Sequence, residues 1–410
     1  MNRHHSGVDI STSVITYLSG APRITICPDG GGGPYRHVTG MIRGFEANGF
    51  QVQPFIYGDY VSRRITGKGG AIQARRLEVP GMRYIQDVAR LIAARYARNL
   101  LGREIEIASV ALAYERYALY HHLGYKFQRK GVPWVLETNG VYFRELGEHY
   151  RALGSMRLAR RHEAWAYREC DMLVTISQKL KTKIVDEFNL EPDKVIVVGN
   201  GVDTDCFSTH NLPPSGIVTS AGLTVGYVGS MSTVRAPELL LRAVAAARSS
   251  GADIRAVFIG GGAELERLRL CAVELMISQY VIFYGAVEGT RIPELMGKFD
   301  VGFMGQRPDL AISAYTSPLK LYEYLATGRP VVYSAISSVQ QEVGGQSFAF
   351  CLDEYSVAAL AGILERLNEM RDELPELGRK AAEFARRNCS WSSRAAQVFA
   401  EVQKRGLAKA

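Results

Sequence analysis

Residues 316–332, TSPLKLYEYLATGRPVV, confine the chain to one kind of architecture, because they join a polar turn, a short helix, a glycine stop and a β-branched strand without a break. Ser317 and Pro318 read as the helix start: a Ser N-cap accepts a bond from an orphan backbone N–H, and Pro is pre-shaped for the first helical position. The helix is predicted over 319–327, Gly328 supplies the left-handed stop, Pro330 prevents continuation, and Val331 and Val332 open a strand. An anion at this N-terminus would meet free N–H groups and the positive end of the helix dipole, with Lys320 adding charge one turn in. Glu323 follows on the same face; its carboxylate repels phosphate but accepts hydrogen bonds from two ribose hydroxyls. An ordinary amphipathic helix with a Lys/Glu surface pair accounts for these residues equally well.

At 410 residues the chain exceeds one typical core and divides into two domains of roughly 150–200 residues each. With 47% hydrophobic and 22% charged residues it is globular, and 41 glycines point to many tight strand-to-helix turns. No apolar run has the length of a membrane span, and MNRHHSGVDIS lacks the apolar core of a signal peptide, so a cytoplasmic protein is expected. The six cysteines form no CxxC pair, which argues against a zinc site or a disulfide framework and for buried, reduced thiols.

Charge is unevenly spread. Through Asn200 there are 28 Lys+Arg against 19 Asp+Glu; the remainder has 21 against 22. A basic first half points to an anionic partner, either a membrane surface or a phosphate-bearing acceptor. Much of this charge falls within 63–103, where RYIQDVARLIAARYARNLLGR has apolar residues at helical spacing among Arg83, Arg90, Arg95, Arg98 and Arg103. A solvated helix with its arginines outward is the commoner outcome for such a run. Nothing resembling a nucleic-acid module accompanies it.

The first domain is predicted to open with a strand at 24–27, followed by four glycines, a helix and another strand, a βαβ start. Gly32 and Gly33 would let a backbone approach a diphosphate or an acceptor group, although a plain turn explains them as well. The spacing is not GxGxxG, so a dinucleotide fingerprint is unsupported. His37, on the next helix, is more often a structural histidine than a catalyst. The segment GVPWVLETNG reads as a buried strand over 134–136 whose polar end lies at the carboxyl edge of the sheet, where open α/β sheets bind ligands. Glu137 and Asn139 fall there. A linker is predicted over 209–222, and the second domain begins with a strand at 225–228 closed by Gly229. Further strands are expected at 258–262 and 281–285, with a helix over 263–270 between them and an amphipathic helix after Ser390 at the end.

Residues 316–332 resemble the donor-site helix of retaining GT-B glycosyltransferases, in particular glycosyltransferase family 4, whose members carry SPLKLYEYMAxGxPVV or EGFGLPxLEAMAxGxPVV. Further landmarks follow in the family's order: the glycines at 30–33 with His37, LETNG at 136–140, VTISQKLK at 174–181, VIVVGNGVDTDCF at 195–207, VGYVGSMSTVRAPELLLRA at 225–243, FIGGGAELERL at 258–268 and VIFYGAV at 281–287. The resemblance implies an α/β fold of GT-B type, two Rossmann-like doubly wound domains facing each other across a cleft. It places an acceptor-binding domain at 1–207, a nucleotide-sugar-binding domain at 208–390 and a terminal helix at 391–410 packing back toward the first domain.

It also implies roles. Arg235, Lys320 and the amides of 317–319 would neutralise the leaving diphosphate; Gly32, Gly33, Gly229, Ser230, Val287, Tyr315, Thr316, Ser317, Pro318, Leu319 and Glu323 would surround the donor, with Glu323 on the ribose and the loop after Gly285 on the base. Departures from the pattern are Ser230 where an Arg is usual, Tyr315 where the first of two glutamates is usual, and Asn139 where many members have a His near the reacting sugar. Asn139 cannot act as a base; Glu137, on the acceptor side with His37, is a candidate substitute. Asp203 and Asp205 have the spacing of a metal pair but fall in a turn that the family uses structurally, so no metal or other cofactor is expected. Retention of anomeric configuration goes with the family. Rival readings are a catalytically silent GT-B partner subunit and a sugar-nucleotide epimerase of the same fold.

Overall fold

The computed structural model describes residues 13–27, 32–66, 81–208, 222–232, 236–310 and 313–407. Two compact units are present: one runs to Gly199 and takes back the chain from Trp391, and the other is Asn200–Ser390. Each is built on one sheet of six parallel strands, the arrangement in which near-continuous apolar strands are covered by helices on both faces.

In the first unit the strands are β1 (Val14–Ser19), β2 (Gln51–Ile56), β3 (Val110–Arg116), β4 (Trp134–Thr138), β5 (Met172–Thr175) and β6 (Val195–Val197), in the order β2-β1-β3-β4-β5-β6. The opening strand is therefore VITYLS and not the predicted 24–27, where Ile24 closes a turn by donating to Ala21 and no strand forms. Val14, Ile15, Tyr17 and Leu18 all bury, whereas Gly20 and Pro22 break the run before the second apolar cluster. Pro28, Asp29, Gly30 and Gly31 lie outside the described residues; Gly32, at φ +97°, caps the helix α1 (Gly33–Ala47).

The basic stretch forms the helix Tyr57–Thr66 and the 23-residue α2 (Met82–Glu104), while 67–80 is outside the described residues. The outward face of α2 is not simply charged, as the commoner outcome would have it. Tyr84, Ile85, Val88, Ile92 and Tyr96 are 46–64% exposed, because Ala94, Ala97 and Leu101 occupy the inward face and Arg90 turns in to Asp87 and the Ala152 carbonyl. The C-terminal helix Trp391–Lys404 packs against α1 within this unit.

In the second unit β7 (Leu223–Val228), β8 (Ile254–Ile259), β9 (Val281–Gly285), β10 (Val301–Phe303), β11 (Val331–Ser334) and β12 (Ala349–Leu352) run in the order β12-β11-β10-β7-β8-β9. The segment 200–207, assigned from sequence to the first domain, joins this unit: the amide of Val202 donates to Cys389, and Asn200 bonds Ser317. Of the predicted linker, 209–221 lies outside the described residues. The helix predicted at 263–270 starts later, Leu265–Glu274, after Gly262 at φ +152°. Cys170, Cys271 and Cys389 are buried, but Cys27 and Cys351 are half-buried and Cys206 is exposed, so only three cysteines match the expectation of buried thiols.

Candidate functional site

Both sheets have one point at which the connections change direction. In the second unit β7 leads to β8 on one side and β10 leads to β11 on the other, so the β7/β10 crevice is the switch point where open sheets take ligands. The helix α3 (Leu319–Ala326) starts there. Lys320 Nζ donates to the Met304 carbonyl just past β10 (2.9 Å) and lies 4.2 Å from the Tyr227 ring centroid of β7. Tyr324, one turn on, accepts from the Val228 amide (2.8 Å) and donates to the Phe303 carbonyl (3.3 Å). Two side chains of one helix thus clasp the ends of both switch-point strands.

Lys320 is 9% exposed and Glu323 5%, which rules out the alternative of a surface Lys/Glu pair. The helix start also differs from the expectation. Pro318 stands at the cap in an extended conformation with no side-chain bond, and Ser317 is not the N-cap. Its hydroxyl instead accepts from the Asn200 amide (2.9 Å) and pairs with Tyr322 Oη (2.8 Å), while its carbonyl accepts from Asn200 Nδ2. Thr316 Oγ1 accepts from Gln306 (2.8 Å) and its carbonyl accepts from Ser338 (2.6 Å); Tyr315 is buried in the preceding 3₁₀ turn. The first turn of α3 is therefore held from outside while its own amides stay unspent on a side-chain cap. Gly328, at φ +67°, ends the helix as predicted.

The floor beside Lys320 is bare backbone. Gly229 N donates to Ile259 O (2.9 Å) and Gly260 N to Gly285 O (2.8 Å), so the loops after β7, β8 and β9 are stitched to one another. Gly260, at φ +134°, has no room for a Cβ, which would lie 2.0 Å from the Gly229 carbonyl. Ser230 is exposed and its carbonyl accepts from Tyr227 Oη (2.9 Å); Val287 is half-buried beyond β9. Arg235 lies outside the described residues. An open cleft of about 390 Å³ follows β7, β8 and β10, with Ser232, Glu264 and Asp309 among its lining. Its arginines are already paired, Arg267 with Glu238 and Glu264 and Arg307 with Asp309. Asp203 accepts from the amides of Asp205 (3.2 Å) and Cys206 (3.0 Å), a turn-closing role.

In the first unit the switch point is the β1/β3 crevice. The register sets Tyr17 beside Tyr114, Ser19 beside Arg116, and Arg116 beside Glu137, one row of polar side chains at the carboxyl ends of β1, β3 and β4. His37 of α1 meets Glu137 (Nε2 to Oε1, 2.7 Å), Tyr114 Oη donates to its other oxygen (2.8 Å), and Asn139, with its amide assigned in the orientation that suits its neighbours, donates to Oε1 (2.8 Å) while accepting from Arg116 Nη2 (3.0 Å). Burial alone would raise the Glu137 carboxyl, but His37, Arg116 and Tyr114 hold it down at about 2. Burial lowers the Arg116 guanidinium, and Glu137 together with Tyr142, Tyr17 and Tyr114 more than offsets this, so that it stands above its ordinary value. A carboxylate so stabilised is a weak base, and its contacts make Glu137 the hub that orients His37, Asn139 and Arg116. The loop carrying Asn139 is fastened by Glu163, which accepts from Tyr142 N (2.8 Å), Phe143 N (2.7 Å) and Tyr167 Oη (2.8 Å) and whose carboxyl burial pushes up to about 7. Arg116, Tyr17, Tyr114, Tyr227 and Tyr324 escaped the sequence reading. A signal for Arg116 existed: VALAYER ends a β-branched and aromatic run in two charges, at the edge where ligands bind.

Residues 31–206 match Glycosyltransferase Family 4, and residues 219–387 match Glycosyl transferases group 1. The chain belongs to the GT-B glycosyltransferases of the glycosyltransferase family 4 type. Among curated relatives of this GT-B chain is the D-inositol 3-phosphate glycosyltransferase of Salinispora tropica, 29% identical over 252 residues, which are 54% of this chain and 48% of that one. The chain spans about half the length of the curated relatives it matches. Sucrose-phosphate synthase of Thermosynechococcus elongatus shares the fold at TM-score 0.67 and 16% identity, over 97% of this chain and 100% of that one. HepE of Anabaena, solved in complex with UDP and glucose, does so at TM-score 0.61 and 14% identity, over 96% and 99%.

Proposed function

We propose that this GT-B chain transfers a sugar from a nucleoside diphosphate sugar to an acceptor hydroxyl, with retention and without a metal, in glycan, polysaccharide or glycolipid synthesis. The observation that carries it is Lys320, buried at the β7/β10 switch point with its Nζ against the Met304 carbonyl and Tyr227, at the N-terminus of a helix whose cap uses no side chain. A fixed cation and helix amides stabilise a leaving diphosphate as its charge develops, and they need no reorganisation to do so. They supply the positive charge for which other transferases use a divalent ion. Glu323, one turn on, is the proposed ribose ligand and the second unit the donor side; the first unit, with His37, Glu137, Asn139 and Arg116, is the acceptor side. UDP is the first nucleotide to test, because HepE was solved with it.

A thermal-shift panel of UDP, GDP, ADP, CMP and dTDP sugars tests this reading, with and without EDTA, on the wild type and Glu323→Ala. A ligand that binds only the native state at a hundred times its Kd adds about 2.7 kcal/mol of stability. One EDTA-insensitive hit, lost in the variant, is the expected result. No shift with any nucleotide would replace the transferase reading with that of a silent partner subunit.

The anionic partner of the basic first half is proposed to be a membrane surface met by α2. Tyr84, Ile85, Val88, Ile92 and Tyr96 form an outward apolar stripe with exposed Arg83, Arg95 and Arg103 alongside, the pattern of a helix that lies in a lipid interface. Among the described residues no helix is long and apolar enough to cross a membrane. Co-sedimentation with phosphatidylglycerol vesicles should fall at least about fivefold in Ile85→Ser/Ile92→Ser and decline with salt. Equal pelleting of the variant would sink the docking role of this stripe.

A further inference from the structure

We infer that the first unit holds an anion site on Arg116, and that the acceptor therefore carries a phosphate or carboxylate group. The two units, each taken alone, place one buried cation at the switch point of the sheet: Lys320 at β7/β10 and Arg116 at β1/β3. Arg116 is 8% exposed, yet its Nε and Nη1 make no hydrogen bond among the described residues. Ser19 Oγ, its register neighbour at the end of β1, is also without a partner among the described residues. Tyr17 Oη lies near enough to feel the Arg116 charge, but no hydrogen bond of good geometry joins it to a described residue. A buried guanidinium normally has its donors satisfied, and two unbonded guanidinium nitrogens beside the Ser19 hydroxyl, at the crevice where open sheets take ligands, mark a place that a ligand completes.

Glu137 does not cancel this positive character. His37, Tyr114 and Asn139 already take up its oxygens, so Arg116 reaches the carboxylate through Asn139 and keeps two nitrogens for a second anion. Ser19 adds a hydroxyl donor, and the excess of Lys and Arg through Asn200 favours the approach of an anion. A guanidinium suits phosphate and carboxylate better than it suits a neutral sugar hydroxyl. The inference rests on reading the first unit as the acceptor side. The same chemistry fits a soluble phosphorylated polyol or sugar and a phosphorylated lipid headgroup.

The test measures binding, not turnover, by calorimetry in saturating UDP, which occupies phosphate sites on the donor side. Probes are myo-inositol 1-phosphate, glucose 6-phosphate and glucuronate, each against its neutral parent, and phosphatidylinositol vesicles against phosphatidylcholine vesicles. At least one anionic probe should bind about tenfold or more tightly than its parent and lose about ten- to a hundredfold in Arg116→Gln. Arg116→Lys should recover part of the loss, and Ser19→Ala, which leaves the ion network intact, should weaken the same probe severalfold. Loss confined to vesicles identifies a lipid-borne acceptor, and loss with soluble probes a free one. Should Arg116→Gln not fold, the Lys and Ala variants carry the comparison. Equal binding of charged and neutral probes, no binding of any probe, or wild-type affinity in the variants overturns the site. Failure of UDP to bind while an anionic probe still depends on Arg116 would instead count against the transferase reading.

Discussion

Replacing Lys320 by Met is expected to lower kcat for sugar transfer by about 10²–10³-fold, the usual cost of deleting one fixed charge or donor aimed at a developing oxyanion. The geometry explains the size. Nζ is held by the Met304 carbonyl and the Tyr227 ring and is nearly excluded from water, where a charge interacts more strongly than at a surface. Gly229, whose Cβ would stand 3.5 Å from Nζ, keeps the approach to the ammonium open. Lys320→Arg should retain part of the rate. The melting temperature separates the chemical effect from a structural one, since Met fills the volume but leaves the Met304 carbonyl without this partner. A Met variant that melts as the wild type does and turns over within fivefold of it would remove Lys320 from the mechanism.

Trp391→Ala should destabilise the first unit by about 3–5 kcal/mol, the range for deleting a large buried aromatic. Trp391 opens the C-terminal helix and sits in a notch cut by two glycines of α1: a Cβ at Gly40 would fall 2.2 Å from its indole nitrogen, and one at Gly44 would fall 2.4 Å from its carbonyl oxygen. The His37 ring stands edge-on at 5.1 Å, and Asn48 Nδ2 donates to the Ser392 carbonyl (2.9 Å). No rearrangement of α1 fills the void, because glycines have no side chains to offer. Urea unfolding measures the loss, with UDP affinity as the control, since Trp391 is no part of the second unit. A change below about 1 kcal/mol would mean that the terminal helix is a loose appendage. The same contact bears on the Glu137 cluster, for the indole packs on the histidine that meets Glu137.

Much of the second unit is legible in the linear chain. Val331 and Val332 after Gly328 and Pro330 form the strand that their β-branching and the glycine stop require, and the strand at 281–285 falls where its apolar run predicts. Those signals are local, and local signals set periodicity and punctuation. The first strand of the first unit was misplaced for the same reason: two apolar clusters flank Gly20 and Pro22, and local pattern favours neither until one of them pairs with β2 and β3.

The sequence by itself determined that this is a two-domain α/β chain of GT-B type, and which charges the segment 316–332 carries. Only the tertiary structure decided what those charges do. Ser317 looks like an N-cap until Asn200, 117 positions away, claims its hydroxyl, and Lys320 and Glu323 look like a surface pair until the ends of β7 and β10 bury them. The apolar residues of α2 look like its inward face until the alanines take that place. Arg116 looks like the end of a strand until β1 and β4 bring Ser19 and Glu137 beside it. Periodicity along the chain says which residues share a face, but what covers that face comes from strands and helices distant in sequence, and covering is what turns a charge from a solvated ornament into a fixed one.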